Sequence, residues 1–493
     1  MASAGVEAGG RGTDGTVTVD DGGTVELITL SEVVTIDDNT LEVELRRLVS
    51  GSPAGTRLPT VRELMRRHAV SPLTVQRVVA GLARECLVEA RPGSGTFVAP
   101  TPAPASVDVS WQTVALGSRP MPGDALLELT ADIPTGVLSL ATGYTDESLW
   151  PTSLLAAATA RAARRPDVWG RSPAQGLPSL RAWFAADAGG GARPDDVLVV
   201  AGGQAALSAA FRSLASPGDP IVLESPTYVG AIEAAHLAGL RPVPVPVDAN
   251  GLRTDLLDDA LRSSGARLIY VQPRLANPTG SSLATDRRNQ LLEAARTAGA
   301  FVVEDDFARD LDGDRPAPPL FADDRHGHVL YVRSLTKSAA PALRIAAIAA
   351  RGPALRRLRN ARLVDDFFVS SVLQEAAIGV VSAAGWPRHL MRLRRGLGER
   401  MAAALIEIDR LSGIEIDVRG TRGFLHWVRL PSGIDDVDIA QRARVAGVPV
   451  SPGRSWFTSE PDDTYLRLSV AAAPTATIPE AFARLAAVLS HHS

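Results

Sequence analysis

From about residue 137 onward, short apolar stretches alternate with longer helical stretches, and this alternation constrains the fold more than any other feature of the sequence. The apolar stretches "VLVV", "PIVLE", "RLIYVQ", "FVVE" and "HVLYVR" are separated by segments such as "QAALSAAFRSLA" and "RRNQLLEAARTAG". Strands that alternate with helices form a mostly parallel sheet covered by helices. We therefore predict an α/β domain over residues 137–490, with a smaller mixed lobe from about residue 385.

A different pattern occupies residues 39–98. Three helical segments, in "TLEVELRRLVSG", "TVRELMRRHA" and "SPLTVQRVVAGL", precede the hairpin pattern "LVEARPGSGTFVAP". Thr60 and Glu63 form a capping box before the second helix. Ser71 and Pro72 fit the N-cap and first position of the third. Three helices and a β-hairpin wing predict a winged helix-turn-helix.

The N-terminal segments differ in net charge. Residues 1 to 40 carry eight acidic residues and only Arg11, a net charge of −7, whereas residues 41 to 99 carry nine arginines and five acidic residues, a net charge of +4. The glycine-rich residues 1–38 are predicted to be an acidic, partly disordered tail, and the basic segment favours a polyanion. The proline-rich start "APTPAPAS" predicts a linker over residues 99–136.

Two absences narrow the class of protein. No apolar stretch reaches the roughly 18 residues of a membrane span, and the N-terminus lacks the pattern of a signal peptide, so we expect a cytoplasmic protein with no membrane partner. Cys86 is the single cysteine. With one cysteine, the chain has no intrachain disulfide and no metal site built from several thiolates. We expect the side chain of Cys86 to lie in the core. We predict no metal site.

Lys337 is the only lysine among 51 lysines and arginines. Arginine serves as well for surface charge or phosphate contact, but it does not readily lose its proton. A desolvated lysine amine does, and it then condenses with a carbonyl to form a Schiff base. Biased codon usage is the alternative explanation. Lys337 follows the strand "VLYVR", and ligands bind beyond the carboxyl ends of parallel strands.

Other candidate residues also follow predicted strands. Gly203 and Gln204 open a helix, where free N–H groups suit a phosphate. Tyr228 either stacks on a planar ligand or is a buried structural tyrosine. Asn277 offers a hydrogen-bond donor ahead of a proline turn. The acidic pair after "FVVE" either faces a pyridine nitrogen or binds magnesium.

The set "SPTY", "NPTG", "EDD" and "SLTK", in this order and spacing, resembles the fold type I pyridoxal phosphate enzymes of the aspartate aminotransferase family. The resemblance implies that Lys337 forms a Schiff base with pyridoxal 5'-phosphate and that Asp305 pairs with the ring nitrogen. Asn277 would then bond the ring hydroxyl, and Tyr228 would stack on the ring. The residues implied to hold the phosphate are Gly203, Gln204, Ser334 and Arg344.

Arg467, in "YLRLSV", matches the arginine of that family that binds a substrate carboxylate. An ordinary strand salt bridge is the alternative. Two positions depart from the family pattern. Phe307 stands where a tyrosine bonds the ring hydroxyl, and Trp169 stands where a tyrosine usually reaches the phosphate of the neighbouring subunit. These departures leave cofactor binding in place and disfavour efficient transamination.

The stretches "LPTVREL", "VSPLTVQRVVAGL" and "RPGSGTFV" resemble the GntR-type winged helix. In that family the third helix enters the major groove of double-stranded DNA and the wing follows the adjacent groove. The residues implied to contact DNA are Arg62, Thr74, Gln76, Arg77 and Gly95, the last by permitting close approach of the wing. Pro72 and Leu73 stand where many relatives have an arginine.

A GntR-type head joined to an aminotransferase-like body resembles the MocR subfamily of transcription regulators. The resemblance implies a homodimeric regulator that senses pyridoxal phosphate, or an amino acid or amine that reacts with it. The alternative is a catalytically active aminotransferase with an accessory helix-turn-helix domain, so enzymatic activity stays open. A purely structural scaffold fits poorly with a lone lysine at the Schiff-base position.

Overall fold

The computed structural model describes residues 33–100, 108–117, 123–134 and 136–490. The chain divides into two compact units, residues 1–119 and residues 120–493, which we call the head and the body. Most of the predicted acidic tail lies outside the described residues, but the first helix begins at Val33, six residues before its predicted start at Asn39. Within the described ranges, no helix combines the length and apolar character needed to cross a bilayer.

The head is a winged helix-turn-helix, as the sequence predicts. Its elements are α1 (Val33–Ser50), α2 (Val61–His68), α3 (Pro72–Arg84), β1 (Val88–Arg91), β2 (Gly95–Val98) and α4 (Ser110–Leu116). The two strands pair antiparallel, with Val88 opposite Val98. Leu45, Leu64 and Val75 are among the buried side chains that join the three helices into one small core.

The predicted helix caps of the head are present. The hydroxyl of Thr60 accepts from the backbone of Glu63, and the carboxylate of Glu63 accepts from the backbone of Thr60 at 2.7 Å. Ser71 caps α3, whose first residue is Pro72. The expectation for Cys86 is wrong, because its side chain is exposed. Cys86 has a positive φ of 57°, after α3 and before β1. The buried side chains nearby in the sequence are those of Leu82 and Val88.

The body contains a mixed sheet of eight strands in the order β3-β10-β9-β8-β7-β4-β5-β6. The strands are β3 (Val197–Val200), β4 (Pro220–Ser225), β5 (Arg241–Asp248), β6 (Gly251–Leu252), β7 (Leu268–Val271), β8 (Phe301–Asp305), β9 (Val329–Ser334) and β10 (Ala346–Ala349). The central strands β9, β8, β7, β4 and β5 are parallel. β10 is antiparallel to both its neighbours, and β6 is antiparallel to β5, so the predicted, mostly parallel sheet has antiparallel pairs at both edges.

Helices cover both faces of this sheet. The helices of this part of the body are α5 (Asp124–Thr130), α6 (Thr152–Ala163), α7 (Pro178–Ala188), α8 (Gly203–Leu214), α9 (Val229–Leu237), α10 (Thr254–Ser264), α11 (Thr285–Ala298), α12 (Leu320–Asp323), α13 (Pro353–Asp366), α14 (Ser371–Val381) and α15 (Trp386–Ile408). Alternate residues of β9 enter opposite cores. Val329 and Tyr331 pack on one face, and Leu330 and Val332 pack on the other.

The predicted smaller lobe is built on a four-stranded antiparallel sheet in the order β11-β12-β14-β13. Its elements are β11 (Glu415–Ile416), β12 (Leu425–Arg429), α16 (Asp436–Val445), β13 (Ser451–Pro452), β14 (Tyr465–Ser469) and α17 (Ile478–Ser490). The long helix α15 contributes Leu393, Leu397 and Met401 to the core of this lobe.

Candidate functional site

Lys337 lies just beyond the carboxyl end of β9, where the sequence predicts a ligand site. Its Nζ donates to the carbonyl of Gly143 at 2.9 Å and lies 4.2 Å from the ring centre of Tyr144. Burial, together with the nearby guanidinium groups of Arg467 and Arg344, lowers the pKa of Lys337 to about 7 against the opposing effect of Asp305. The amine is therefore available as a neutral nucleophile near neutral pH.

Asp305 ends β8, the strand beside β9, and its carboxylate is buried. It accepts hydrogen bonds from the phenol of Tyr270 and the amide of Gln272, each at 2.8 Å. Burial raises the pKa of Asp305 to about 6, and these two donors oppose the rise. Asp305 is therefore mostly ionised at neutral pH, as a carboxylate facing a protonated ring nitrogen must be.

The neighbouring Asp306 has different partners. Its carboxylate accepts from Arg274 at 2.9 Å and from the phenol of Tyr331 at 3.2 Å, and Arg309 lies 3.7 Å away. Across the described part of the chain, no group of three or more histidine, cysteine or acidic side chains is arranged to hold a metal ion. Because the two aspartates have separate partners, the geometry disfavours a magnesium ion shared between them.

An anion cradle lies at the start of α8, which begins at Gly203. Gly202 adopts a φ of +98°, and a Cβ there would lie 2.4 Å from Nη2 of Arg344. Ser334 donates to Thr336 at 3.0 Å, and a Cβ on Gly203 would be 3.9 Å from the Cβ of Ser334. Free helix N–H groups, two hydroxyls and a guanidinium thus converge, a set suited to phosphate.

Gln204 also lies in this cradle, at the second position of α8. Its amide nitrogen donates to the carbonyl of Gly230 at 2.7 Å, while its Oε1 is buried without a hydrogen-bond partner. The side chain is thus anchored to α9, the helix that follows Tyr228. This contact connects the phosphate cradle to the loop that carries the predicted stacking residue.

Arg467 is a buried guanidinium on β14, with 1% of its surface exposed. It donates to the carbonyl of Ala141, lies 3.4 Å from the amide oxygen of Asn277 and covers the ring of Trp456 at 4.4 Å. No carboxylate of the described residues lies within ion-pair distance, and burial lowers its pKa to about 9. A buried cation without a charged partner is costly, so the site favours an anionic ligand.

Tyr228 precedes α9 and packs beside Trp427 and Trp456. Burial raises the pKa of its phenol, and the charges of Asp305 and Arg467 also act on it. The sequence-predicted residues for the ring, the phosphate and a carboxylate are thus brought together around Lys337.

The two family departures lie elsewhere in the body. Phe307 packs edge-on against Phe424, with ring centres 6.4 Å apart, in the core of the smaller lobe. Trp169 is 70% exposed, and its indole donates to the carbonyl of Ala163 at 3.1 Å. Neither side chain offers the hydroxyl that the family pattern supplies.

The site also contains residues that the sequence motifs do not indicate. Gly143 and Tyr144 come from a segment before α6 without strand or helix periodicity, so no local signal marks them. Tyr270 lies on β7, and Gln272 follows its last residue. Because side chains alternate along a strand, two residues that are two positions apart lie on the same face, and this spacing is visible in the sequence. Gln272 also accepts from the backbone of Asn277 at 2.9 Å, which connects two predicted cofactor residues.

In the head, four of the predicted DNA-contacting residues are exposed: Arg62, Gln76, Arg77 and Gly95. Thr74 differs, because it is buried and its hydroxyl lies 3.0 Å from that of Ser71 at the start of α3. This position gives Thr74 a structural role in the helix cap. A DNA contact by Thr74 stays a prediction.

Comparison with known proteins matches both units. Residues 136–485 match the family of class I and II aminotransferases, and residues 42–98 match the gntR family of bacterial regulatory proteins. The probable rhizopine catabolism regulatory protein MocR of Rhizobium meliloti is 31% identical, over 83% of this chain and 84% of its own length. The chain belongs to the MocR-type members of the GntR family.

This MocR-type chain is also similar to aminotransferases. The 2-aminoadipate transaminase of Thermus thermophilus is 33% identical over 74% of this chain and 92% of its own length. LysN, the α-aminoadipate aminotransferase of the same species, was solved in complex with N-(5'-phosphopyridoxyl)-L-leucine. It is 31% identical, with a TM-score of 0.69, over 75% of this chain and 97% of its own.

Proposed function

We propose that this protein is a DNA-binding transcription regulator of the MocR type, which responds to pyridoxal 5'-phosphate or to an amino compound that reacts with it. The observation that carries the proposal is the buried amine of Lys337, its pKa lowered to about 7, on the same chain as a GntR-type head. The amine supports a carbonyl ligand, and the head supports double-stranded DNA as partner.

The residues around Lys337 fit pyridoxal phosphate. The cofactor would supply an aldehyde carbon and an electron-accepting ring. Asp305, fixed by Tyr270 and Gln272, would keep a proton on the ring nitrogen. The cradle formed by Gly203, Gln204, Ser334 and Arg344 would hold the phosphate, with Tyr228 over the ring and Asn277 at the ring hydroxyl.

Arg467 supports an amino acid as the second ligand. Its guanidinium is buried, and no carboxylate among the described residues pairs with it. An amino acid bound with its amine near Lys337 and its carboxylate at Arg467 would supply the missing charge. A ligand that binds one arrangement of the body more tightly than another shifts the population between them, which is how a signal in the body reaches DNA binding.

We further propose that the regulator acts as a homodimer whose two heads contact two half-sites. Large apolar side chains are exposed on two neighbouring segments of the body, at Trp169, Val364 and Phe367. Arg362 donates to carbonyls of both segments, at Ala174 and Phe367, which keeps them side by side. An apolar surface of this kind supports association. The cytoplasmic location inferred from the sequence stays a prediction.

The test measures operator affinity of wild type and Arg467→Ala as apoprotein, with pyridoxal phosphate, and with pyridoxal phosphate plus an amino acid panel. The operator is first selected from a random-sequence duplex pool. If an amino acid is the signal, Arg467→Ala abolishes the amino-acid response and keeps the cofactor response. Arg484→Ala, which removes an arginine paired with Glu480 on α17, is the matched control. Operator affinity indifferent to every ligand would contradict the regulator proposal.

The second candidate is an active aminotransferase with an accessory DNA-binding head. The similarity to the 2-aminoadipate transaminase favours it, and so does the complete set of Lys337, Asp305 and Arg467. Phe307 argues against efficient turnover, because its ring supplies no hydroxyl. Rapid conversion of an amino donor and a keto acid, with no ligand effect on DNA binding, would favour this candidate.

A further inference from the structure

We propose that Arg57 forms a contact for a DNA phosphate at the wing of the head, and that Gly95, whose positive φ already favours glycine, also leaves room for the guanidinium of Arg57. This inference rests on the DNA-binding part of the proposed function. It adds Arg57 to the DNA-contacting residues predicted from the sequence. It also gives Gly95 a role different from close approach of the wing to DNA.

The backbone fixes Arg57 beside the wing. The segment 55–58 runs along β2, with Gly55 donating to the carbonyl of Val98 at 2.9 Å and Leu58 donating to that of Thr96 at 2.8 Å. Arg57 pairs antiparallel with Phe97 as an added bridge at the edge of the hairpin. Two residues after Leu58, the capping box opens α2. Arg57 is therefore held at the junction between the wing and the helix-turn-helix.

The side chain of Arg57 occupies the space that a side chain at Gly95 would need. A Cβ on Gly95 would lie 2.9 Å from Nε and 3.3 Å from Nη2 of Arg57. Gly95 also has a φ of +117°, whereas Gly93 in the same turn has a φ of +77° and nothing within 4 Å of its Cβ position. Both glycines suit the turn, but only Gly95 accommodates the guanidinium.

The charge of Arg57 is available to a ligand. Three exposed arginines of the head are paired with acids: Arg46 with Glu42 and Glu85, Arg67 with Glu44, and Arg91 with Glu89. Arg57 is exposed, and no acidic side chain of the described residues lies within ion-pair distance of it. A guanidinium group that is permanently charged, and that has no acidic partner, is suited to bind a phosphate oxygen.

The first test uses the full chain and a mixed-sequence duplex of about 30 base pairs, because a phosphate contact contributes to binding of any sequence. Arg57→Gln should weaken binding about tenfold at low salt and reduce the slope of log affinity against log salt by about one. Arg57→Lys should keep the slope. Arg67→Gln makes the same change in net charge but removes an arginine paired with Glu44, so it should change the slope little. Equal slopes for wild type and Arg57→Gln would overturn the inference.

The second test is a double-mutant cycle. If Gly95 acts through Arg57, Gly95→Ala weakens DNA binding in wild type and adds no further loss to Arg57→Gln. Independent losses would show that Gly95 serves close approach to DNA instead, and would overturn the pairing. Gly93→Ala controls for the strain of a positive φ, and a thermal unfolding curve identifies any variant whose head fails to fold.

The DNA-binding function and the Arg57 contact would be contradicted by different results. If wild type binds no duplex at any salt concentration, the proposed DNA-binding function falls and the Arg57 contact falls with it. If wild type binds duplex DNA while Arg57→Gln binds with the same affinity and slope, only the Arg57 contact is wrong.

Discussion

The reactivity of Lys337 should titrate near neutral pH, and Arg467 should help to set the midpoint. Burial is the largest cause of the lowered pKa, and the nearby guanidinium of Arg467 is the next. Replacing Arg467 with methionine removes that positive charge, so the pKa of Lys337 should rise. It should stay below its ordinary value because burial persists. Arg467→Lys keeps a charge in place and should change the midpoint less.

The size of the effect follows from the fraction of neutral amine. With its pKa at about 7 instead of 10.5, Lys337 would be about three quarters neutral at pH 7.5, against about one thousandth for an ordinary lysine. Only the neutral amine attacks a carbonyl, so attack by Lys337 should be about 750-fold faster than by a free lysine side chain of equal intrinsic reactivity.

The assay follows capture of pyridoxal phosphate by apoprotein across a pH series. Samples are quenched with borohydride, and the modified Lys337 peptide is quantified by mass spectrometry. An N-acetyl-lysine amide provides the reference for the cofactor's own titrations. Arg484→Met, at an exposed position on α17, controls for loss of an arginine elsewhere in the body.

Three results would contradict these expectations. A wild-type midpoint near that of the reference amine would show that Lys337 is not desolvated as its surroundings indicate. A midpoint unchanged in Arg467→Met would show that this guanidinium has no electrostatic influence on the amine. Modification at a site other than Lys337 would refute the assignment of the lysine itself.

Three further predictions concern Tyr270, Asp306 and Phe307. Tyr270→Phe removes a donor from the carboxylate, so the pKa of Asp305 should rise above about 6. As the pH is lowered, affinity for pyridoxal phosphate should therefore be lost at a higher pH in the variant than in wild type, as measured by fluorescence titration. Asp306→Asn leaves Arg274 buried without this partner, so it should lower the free energy of unfolding by about 3 kcal/mol, as measured by urea denaturation. Phe307→Tyr should lower the pH midpoint of the bound cofactor's absorbance if its hydroxyl reaches the ring hydroxyl; superimposable titrations would contradict that alignment.

Much of the site was predictable because it follows from sheet topology. Lys337 and Asp305 come from β9 and β8, which are adjacent and parallel, so their carboxyl ends meet at one edge. The sequence motifs supplied the residue types, and the parallel arrangement explains why motifs far apart along the chain converge. The same reasoning predicts the cradle at Gly203, where a glycine-rich turn opens a helix.

The chain by itself determined local features: the capping box of Thr60, the N-cap of Ser71, and the alternation of strands and helices. These depend on side chains within one helical turn or one strand, so their spacing is visible in the sequence. Long-range contacts are not encoded by spacing. The carbonyl of Gly143 meets Lys337 across 194 positions, and Arg467 reaches Ala141 across 326. Which side chains meet at such distances is decided by how the elements pack, and only the tertiary structure contains that information.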